Sequence, residues 1–510
     1  MKTIDDMRKV FTICFLFFAG LSVYAQNVNP GFDSVFRYNE LSLIEITMSE
    51  SDKQALIFPD DPQANIYYPI TIRFKNSLMD ETRTNVGIRI RGNTSRNAYK
   101  KSFKIDFKEF GGPKFKKHKK FNLKAQNNDP SMLREFLSLY MYRMYKVPAA
   151  RAHHAEVYIN GEYMGIYVNI EQIDDEFVDR RYKNEDGNLY KCHYGATLQN
   201  DGQIFWEDLY ELKTNEEAND RSILENMVIL LNSYEGEELR TNLEPVFDVH
   251  NFLRQMAVEA LIGHWDGYSY LNNNYYLYEE PISGKVVFIP YDVDNTYGID
   301  WVDRDWGTRN VTDWASHSKV LPLNHRLLAI DDYFEDYCRH MVLLSQTYFT
   351  REHLDPLMES LQSMISDAVS KDNYFPYSYT DFLNTLTTAY GGHVEYGIKP
   401  YIDTRLSTSG SQLTGYEPFD TTKSGNTASI EVPFSAPIKL FPNPVKQGYF
   451  FAITEIYDAD IAVIDQVGRQ VPVSYFEQAP GEYRLIFDQQ PLPGWYLLKV
   501  GNTVEKFIVQ

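Results

Sequence analysis

Apolar and polar residues alternate through Leu41–Met48 (LSLIEITM), a period of two that predicts a strand with one buried face. The same period returns in Ile66–Phe74 (IYYPITIRF), Asn85–Ile90 and Ser102–Phe107 (SFKIDF). Between Pro130 and Tyr145 the spacing lengthens to that of a helix, with Met132, Leu133, Phe136, Leu137, Tyr140, Met141 and Met144 on one stripe. Asp129 stands as the expected N-cap, with Pro130 at the first helical position. Ala155–Ile159 and Tyr163–Ile170 read as a hairpin across Asn160-Gly161, because a tight two-residue turn needs residues that accept positive φ. This first block is therefore mostly sheet with one inserted helix.

Helix predominates afterwards. Val249–Gly263 is an apolar-rich helix with Gly263 as its stop. Asn274–Tyr278 and Val286–Ile289 form a predicted hairpin around Ser283-Gly284, and helical patterns resume from Leu321 to Leu406. Residues 407–436 are rich in Ser, Thr and Gly and read as a linker. From residue 437 to 510 the alternation is strong again, in Ile461–Ile464, Tyr483–Phe487, Tyr496–Val500 and Lys506–Val509, which predicts a small antiparallel β-sandwich. At the other end, Lys2, Arg8 and Lys9 precede the apolar run Val10–Val23, and Val-Tyr-Ala precedes Gln26. That order is a signal peptide over residues 1–25, with Met7 as an alternative start. The run falls short of the ~20 residues that span a bilayer, and no transmembrane segment is expected after cleavage.

Composition narrows the classes. Hydrophobic residues make up 43% of the chain, enough for a real core, and the 38 Tyr and 31 Phe suit strand-rich packing. A net charge of −20 argues against general binding to nucleic acid or an anionic membrane. Outside the apolar run the cysteines are Cys192 and Cys338, read as two separate thiols rather than a disulfide framework. The basic run Lys114–Lys120 (KFKKHKK) reads as a solvated loop, the alternative being a landing site for acidic substrate or phosphate. His153-His154 lacks a third ligand at useful spacing and reads as structural. Asp300, Asp303 and Asp305 read as solvated.

Candidate chemistry concentrates in His264–Gly298 (HWDGYSYLNNNYYLYEEPISGKVVFIPYDVDNTYG). A helix ends and Asp266 follows in a loop; Asn272, Asn273 and Asn274 come next; a hairpin then leads to Asp292 and Asp294. A hairpin returns the chain to its start, so these groups converge at one end of it. Carboxylate and carboxamide oxygens are hard ligands suited to Mg²⁺, and a separate carboxylate can orient an attacking hydroxyl and take its proton. One Asp as base with one Asn and one Asp for metal is the arrangement of protein kinases. Trp265 stands where their His-Arg-Asp has Arg, and Asp-Val-Asp stands for Asp-Phe-Gly. Upstream, Gly87–Phe107 (GIRIRGNTSRNAYKKSFKIDF) enters a polar turn, Arg91–Arg96, and leaves on a strand carrying Lys100, Lys101 and Lys104. Glycine lets a backbone approach closely, and Arg and a strand Lys can meet phosphate. The turn does not match the P-loop pattern.

RGNTSR with KKSFKI, then NNDPSMLRE, VYINGEYMGIYVNIEQID, GNLYK, and HWDG with NNYYLY and IPYDVDNTYG occur in one order, and together they resemble the CotH family of spore-coat-protein-H-type kinases over Leu41–Leu406. The resemblance implies an α+β fold: an atypical two-lobed protein-kinase-like domain over residues 26–406, which includes a short lead. It also implies a kinase that uses ATP and Mg²⁺, or Mn²⁺, to modify Ser or Thr of secreted or surface proteins. Matched by motif, Asp266 is the expected catalytic Asp and Lys104 the nucleotide-binding Lys. Asn274 is the expected metal-binding Asn, with Asn272 as neighbour, and Asp292 the metal Asp, with Asp294 as second candidate. Arg91, Asn93, Ser95 and Arg96 would form the phosphate-facing loop. Glu135 would partner the lysine, with Glu171 as alternative or as a contact to adenine or ribose near the hinge.

The last block resembles the type A sorting domain of the type IX secretion system through Leu440-Phe441-Pro442-Asn443-Pro444, Ile464–Gln470, Gly494-Trp495-Tyr496 and Lys506–Val509. That implies passage through the periplasm and across an outer membrane by the type IX machinery, to the surface or medium. Two other readings stay open: a non-catalytic kinase-like protein of a surface layer, and a kinase fold with different transfer chemistry.

Overall fold

Strands of the first block close on themselves. β1 (Ser42–Thr47), β2 (Tyr68–Lys75), β3 (Asp80–Arg91), β4 (Ser102–Asp106), β5 (Lys120–Lys124), β6 (Ala152–Ile159) and β7 (Glu162–Glu171) form a barrel in the order β1-β2-β3-β4-β5-β7-β6. Neighbours run antiparallel except β1 and β6, whose parallel pairing shuts the ring. The computed structural model describes residues 28–418 and, further on, 438–441, 443–445, 448–453, 461–466, 469–479, 482–500 and 503–509. The expected signal peptide and most of the expected linker lie outside these residues.

Alternation fills the barrel. Ile44 and Ile46, Ile70 and Ile72, Val86, Ile88 and Ile90, Phe103 and Ile105, Phe121 and Leu123, and Val157 and Ile159 all belong to one buried cluster. The intervening residues therefore face outward. Arg89 and Arg91 do so on β3, Lys104 on β4, and Lys120, Asn122 and Lys124 on β5. Register places Arg89 opposite Lys104, and Lys104 opposite Asn122. The β6–β7 turn is the expected one, with Asn160 at φ 51° and Gly161 at φ 80°.

The inserted helix runs from Arg134 to Met144, later than its apolar stripe suggested. Asp129 does cap the segment, accepting from the backbone N–H groups of Leu133 and Arg134 at 2.9 and 2.8 Å. Met132 sits at φ 61°, outside helical geometry, so the helical turn starts only beyond it.

The second half of this unit carries a four-stranded sheet, β11-β10-β8-β9, from β8 (Leu189–Cys192), β9 (Tyr210–Leu212), β10 (Tyr275–Glu280) and β11 (Lys285–Pro290). Helices surround it. Val249–Ile262 ends, as expected, at Gly263 with φ 73°. The last helix, Ile398–Gln412, runs through the first residues expected as linker, so that boundary moves C-terminally. Among the described residues no helix is long and apolar enough to cross a membrane. One ion pair ties the barrel to the helical part: Lys100 and Asp372, both fully buried, meet at 2.6 Å, and Lys100 also donates to the Ile166 carbonyl. Gly165 at φ 105° makes room, since a Cβ there would lie 2.1 Å from the Asp372 carboxylate.

Smaller expectations divide. Cys192 and Cys338 are separate buried thiols. His153 and His154 are buried; His154 meets the Met132 carbonyl and His153 the Asn169 amide, and burial lowers their pKa values to about 3 and about 4. Four of the five lysines in the basic run pair with acids, Lys114 with Glu176, Lys116 with Glu81, Lys119 with Asp175 and Lys120 with Asp106. Lys114, Lys116 and Lys117 are solvent-exposed. Asp300 is not solvated. It is buried and accepts from Trp306 Nε1 at 2.8 Å and from the N–H groups of Val302 and Arg304. Asp303 and Asp305 are exposed.

A separate unit holds the C-terminal block from Asp420. β12 (Lys439–Phe441), β13 (Tyr449–Ile453), β16 (Val473–Ala479) and β17 (Glu482–Phe487) make one antiparallel sheet. β14 (Ile461–Asp465), β15 (Gln470–Val471), β18 (Gly494–Val500) and β19 (Thr503–Val509) make another. Phe450, Leu485 and Phe487 from the first share a core with Val463, Leu498 and Phe507 from the second, the sandwich that the alternation predicts.

Candidate active site

Lys124 is the last residue of β5, and Glu135 lies in the first turn of the Arg134–Met144 helix. Lys124 Nζ stands 2.7 Å from Glu135 Oε2 and 3.2 Å from Asp294 Oδ2, and it also bonds Asp292 Oδ1. Burial favours the neutral amine, but Asp292, Asp294 and Glu135 outweigh it and hold the pKa of Lys124 well above the usual lysine value. Burial likewise pushes Asp292 up, and Lys124 and Arg91 reverse this to hold its carboxylate ionised. Asp294 goes the other way: burial, with Asp292 and Glu135 adding to it, raises its pKa despite Lys124.

The loop after Gly263 carries Asp266. Trp265 is buried, stacks on Trp306 and donates Nε1 to the Ile299 carbonyl at 2.7 Å, which fixes the loop. Asp266 Oδ1 accepts from Asn273 Nδ2 at 2.9 Å and Oδ2 from Asn295 Nδ2 at 3.2 Å. Burial raises its pKa to about 6; Asp292 adds to the rise, and the amide donors work against it. Asn274 donates Nδ2 to the Asp266 backbone carbonyl at 3.0 Å. A carbonyl only accepts, so this bond commits the amide nitrogen and leaves the carboxamide oxygen for another partner. Asn272 spends its amide on the Val320 carbonyl instead.

The hairpin performs the convergence expected of it. Tyr275 pairs with Pro290, and Tyr291 N donates to the Asn274 carbonyl at 3.1 Å, so Asn274 and Asp292 flank one end of β10–β11. Both residues sit in the left-handed region, at φ 53° and 52°, which Asn and Asp tolerate best among non-glycine residues. Arg91, at the end of β3, reaches across to the Tyr291 hydroxyl at 3.2 Å.

Other expected residues are placed differently. Lys104 does not face the carboxylates. It lies among Arg89, Arg91, Lys120 and Lys213, and the lysine at the acidic centre is Lys124. Both lysines point outward from adjacent strands, so alternation alone could not choose between them; the useful signal was a strand-end lysine shortly before a helix whose first turn holds Glu135. Glu171 is enclosed by Arg151, Arg180 and Arg181, which outweigh burial and hold its pKa well below the usual value. It is a partner of arginines rather than of the site lysine. Arg96 gives its guanidinium to the carbonyls of Gly92, Gln63 and Ala64 and to Asn65 Oδ1, bracing the turn rather than presenting itself to a ligand. Gly92 has φ 110°, and a Cβ there would lie 2.2 Å from Ser95 Oγ, so the turn needs glycine on both counts. Asn93 is exposed at the tip.

Hard oxygen donors gather here: the carboxylates of Asp292 and Asp294 and the carboxamide oxygen of Asn274, whose nitrogen is held by the Asp266 carbonyl. The Lys124 ammonium already bonds both carboxylates, so the site draws positive charge. Among the described residues no group of three or more His, Cys, Asp or Glu is arranged to enclose a metal. An open set of this kind fits Mg²⁺ or Mn²⁺, cations that complete their shell with phosphate oxygens and water.

Residues 88–408 match the family described as CotH kinase protein, well over half of the chain. Inner spore coat protein H of Bacillus subtilis (strain 168) is 26% identical over 346 residues, covering 66% of this chain and 90% of that protein. Spore coat protein homolog 1 of Rhizopus delemar is 26% identical over 272 residues, and Invasin CotH2 of the same fungus 25% over 193. These cover 49% and 35% of this chain, and the chain spans only 42% and 32% of the fungal proteins. Among solved structures, a chain of the Shewanella oneidensis MR-1 HipA, HipB and operator DNA complex aligns over 72% of each chain at 10% identity with a TM-score of 0.26, a level that carries no statement about fold. From the extent of the match over residues 88–408, the chain belongs to the CotH kinase protein family.

Proposed function

We propose that this protein is an atypical protein kinase that transfers the γ-phosphoryl group of ATP to a Ser or Thr hydroxyl of a secreted or surface protein. The observation that carries the reading is the meeting of Asp266, Asn274, Asp292 and the Lys124–Glu135 pair at the end of one hairpin. Asp266 has the pKa of a base that works near neutrality, and its two amide donors fix the direction in which the carboxylate faces. Asn274, Asp292 and Asp294 would hold a divalent cation, which when bound neutralises phosphate oxygens. Lys124, oriented by Glu135, positions the phosphates as a point charge.

Incubation of the purified chain with γ-labelled ATP, Mg²⁺ and casein or its own Ser/Thr residues as acceptor tests the reading, with mass spectrometry of the product. Transfer of a phosphoryl group that disappears in Asp292→Ala supports it. Absence of any transfer with Mg²⁺ or Mn²⁺ favours a binding protein of a surface layer, and a mass shift other than phosphoryl favours different chemistry.

Export is part of the same reading: a signal peptide over residues 1–25 and a C-terminal sandwich of the type IX sorting kind. Deletion of residues 437–510 is expected to hold the protein in the periplasm of a host with that machinery. Undiminished surface delivery would refute this part alone.

A further inference from the structure

Both flanks of Asp266 converge on one indole. Trp306 belongs to the segment 297–316, which follows the acidic turn of Asp292 and Asp294, and it is fully buried. Trp265, one residue before Asp266, stacks on it with centroids 5.9 Å apart and planes 10° from parallel. Tyr270, in the short helix Tyr268–Leu271 just after Asp266, meets the same ring edge-on at 4.9 Å. The indole N–H is given to Asp300 at 2.8 Å, within its own segment. Backbone bonds tie that segment to the loop of Asp266 at both ends: Tyr297 N–H donates to the Ile262 carbonyl at 2.8 Å, and Ser316 N–H to the Ser269 carbonyl at 2.9 Å. In protein kinases the loop after the metal carboxylate is ordered when arginines pair with a newly added phosphate. Here the arginines are already committed. Arg309 lies against the rings of Tyr270, Trp306 and Trp314 and donates to the carbonyls of Trp314 and Ala315. Arg405, from the Ile398–Gln412 helix, donates to the carbonyls of Ala260 and Arg309. The hydroxyls of Thr308 and Thr312 are bonded too, to Asp305 and Asn310.

We propose that Trp306 is a positioning residue for Asp266: it clamps both flanks of that residue to the segment after the metal carboxylates, and so sets the loop before any ligand or phosphate arrives. Stacked and edge-on aromatic contacts add to the burial of apolar area and are directional, so they fix an angle as well as a distance. Precision is what such a loop needs, because a displacement of about 1 Å at a catalytic group costs about a hundredfold in rate. The part played by Asp266 in transfer rests on the reading of this protein as a kinase; the clamp itself does not.

Hydrogen exchange of the whole chain, read by mass spectrometry, tests the clamp without any assay of transfer. Residues 264–274 and 297–316 are expected to exchange slowly in the unliganded protein. Trp306→Leu is expected to quicken exchange in both and to leave strands β1 to β7 as they were. Trp306→Phe keeps a ring between Trp265 and Tyr270 and is expected to restore most of the protection. In the transfer assay Trp306→Leu is expected to lower kcat by about a hundredfold with the KM for ATP unchanged, and Trp306→Phe to recover most of the rate. Unchanged exchange in the barrel shows that the variant is folded, so that the lost rate reports lost placement. Should Trp306→Leu not fold, Tyr270→Leu cuts the same clamp at a half-buried ring and is expected to act in the same direction. Quickened exchange confined to 297–316, or full kcat in a folded Trp306→Leu, overturns the proposal. Phosphatase treatment of the purified chain is expected to leave kcat as it was, and a rate that depends on phosphate in 297–316 also overturns it. Exchange that quickens in both segments of a protein that transfers nothing supports the clamp and counts against the kinase reading only.

Discussion

Lys124 and Glu135 meet at 2.7 Å across the junction between a barrel strand and the helix that follows it, and the same ammonium is shared with the acidic turn after the distant β11 strand. The site therefore exists only when the barrel and the helical half are docked. Its parts come from segments that neither half could complete alone.

Removing that ammonium leaves Glu135 and the Asp292–Asp294 pair without their shared cation. Lys124→Met is expected to lose about 2 kcal/mol in urea unfolding, a figure kept below that of a fully buried pair because Asp292 is 36% exposed. Part of the loss should return on adding Mg²⁺, which the carboxylates can then take up. A variant as stable as the original in EDTA would show that the lysine is not needed to hold the acids together.

Asp266 acts as a base only when ionised. With its pKa raised to about 6, the transfer rate is expected to be low below that pH, to rise through it and to level off above. The raised value means that the folded state holds the proton more tightly than the unfolded chain, so this group opposes folding once both states are ionised. Asp266→Asn should thus lose transfer while melting no lower than the original at pH 8. A rate that is flat from pH 5 to 8 would remove Asp266 as the titrating base.

Gly92→Ala places a Cβ on the Ser95 hydroxyl and asks alanine for φ 110°. A cost of about 2 kcal/mol is expected, confined to the turn. The readout is weaker nucleotide binding with a small change in melting temperature. Nucleotide affinity equal to that of the original would show that the turn does not close on the ligand.

Lys100 and Asp372 form a fully buried pair between the barrel and the segment after the Arg351–Ser370 helix. Lys100→Met alone is expected to cost about 3 to 5 kcal/mol, because it strands a carboxylate in the interior. Adding Asp372→Asn should recover much of this, since the amide can still accept the Ile166 N–H. Equal stability of the single and double variants by urea unfolding would refute the account.

Much of this was legible in the residues. Strict alternation in SLIEIT and SFKID, and Asn160-Gly161 between two strands, are local signals that tertiary packing had no reason to override. The hairpin logic that brought Asp266, Asn274 and Asp292 together needed only two adjacent strands and a turn. Lys104 and Lys124 were a different problem. They project from the same face of neighbouring strands, and only the docking of the Glu135 helix and the Asp292 turn decides which one meets the acids. Arg96 and Glu171 have the residue types of a ligand site, yet the sequence holds no sign that backbone carbonyls would capture the one and three arginines the other. The late start of the Arg134–Met144 helix depends on a single residue, Met132, adopting positive φ, which its side chain does not foretell.

The parallel pairing of β1 with β6 sets an order in time. The chain leaves the ribosome with β1 ahead of its partner strands, and that strand has one free side until residues 152–159 arrive to cover it. Every shorter nascent length presents an open edge able to pair with the wrong partner. The barrel is thus finished late, by β6 and then by β7, which lies between β5 and β6 and beyond the Lys124–Glu135 junction, and any factor that keeps the nascent chain extended protects this edge.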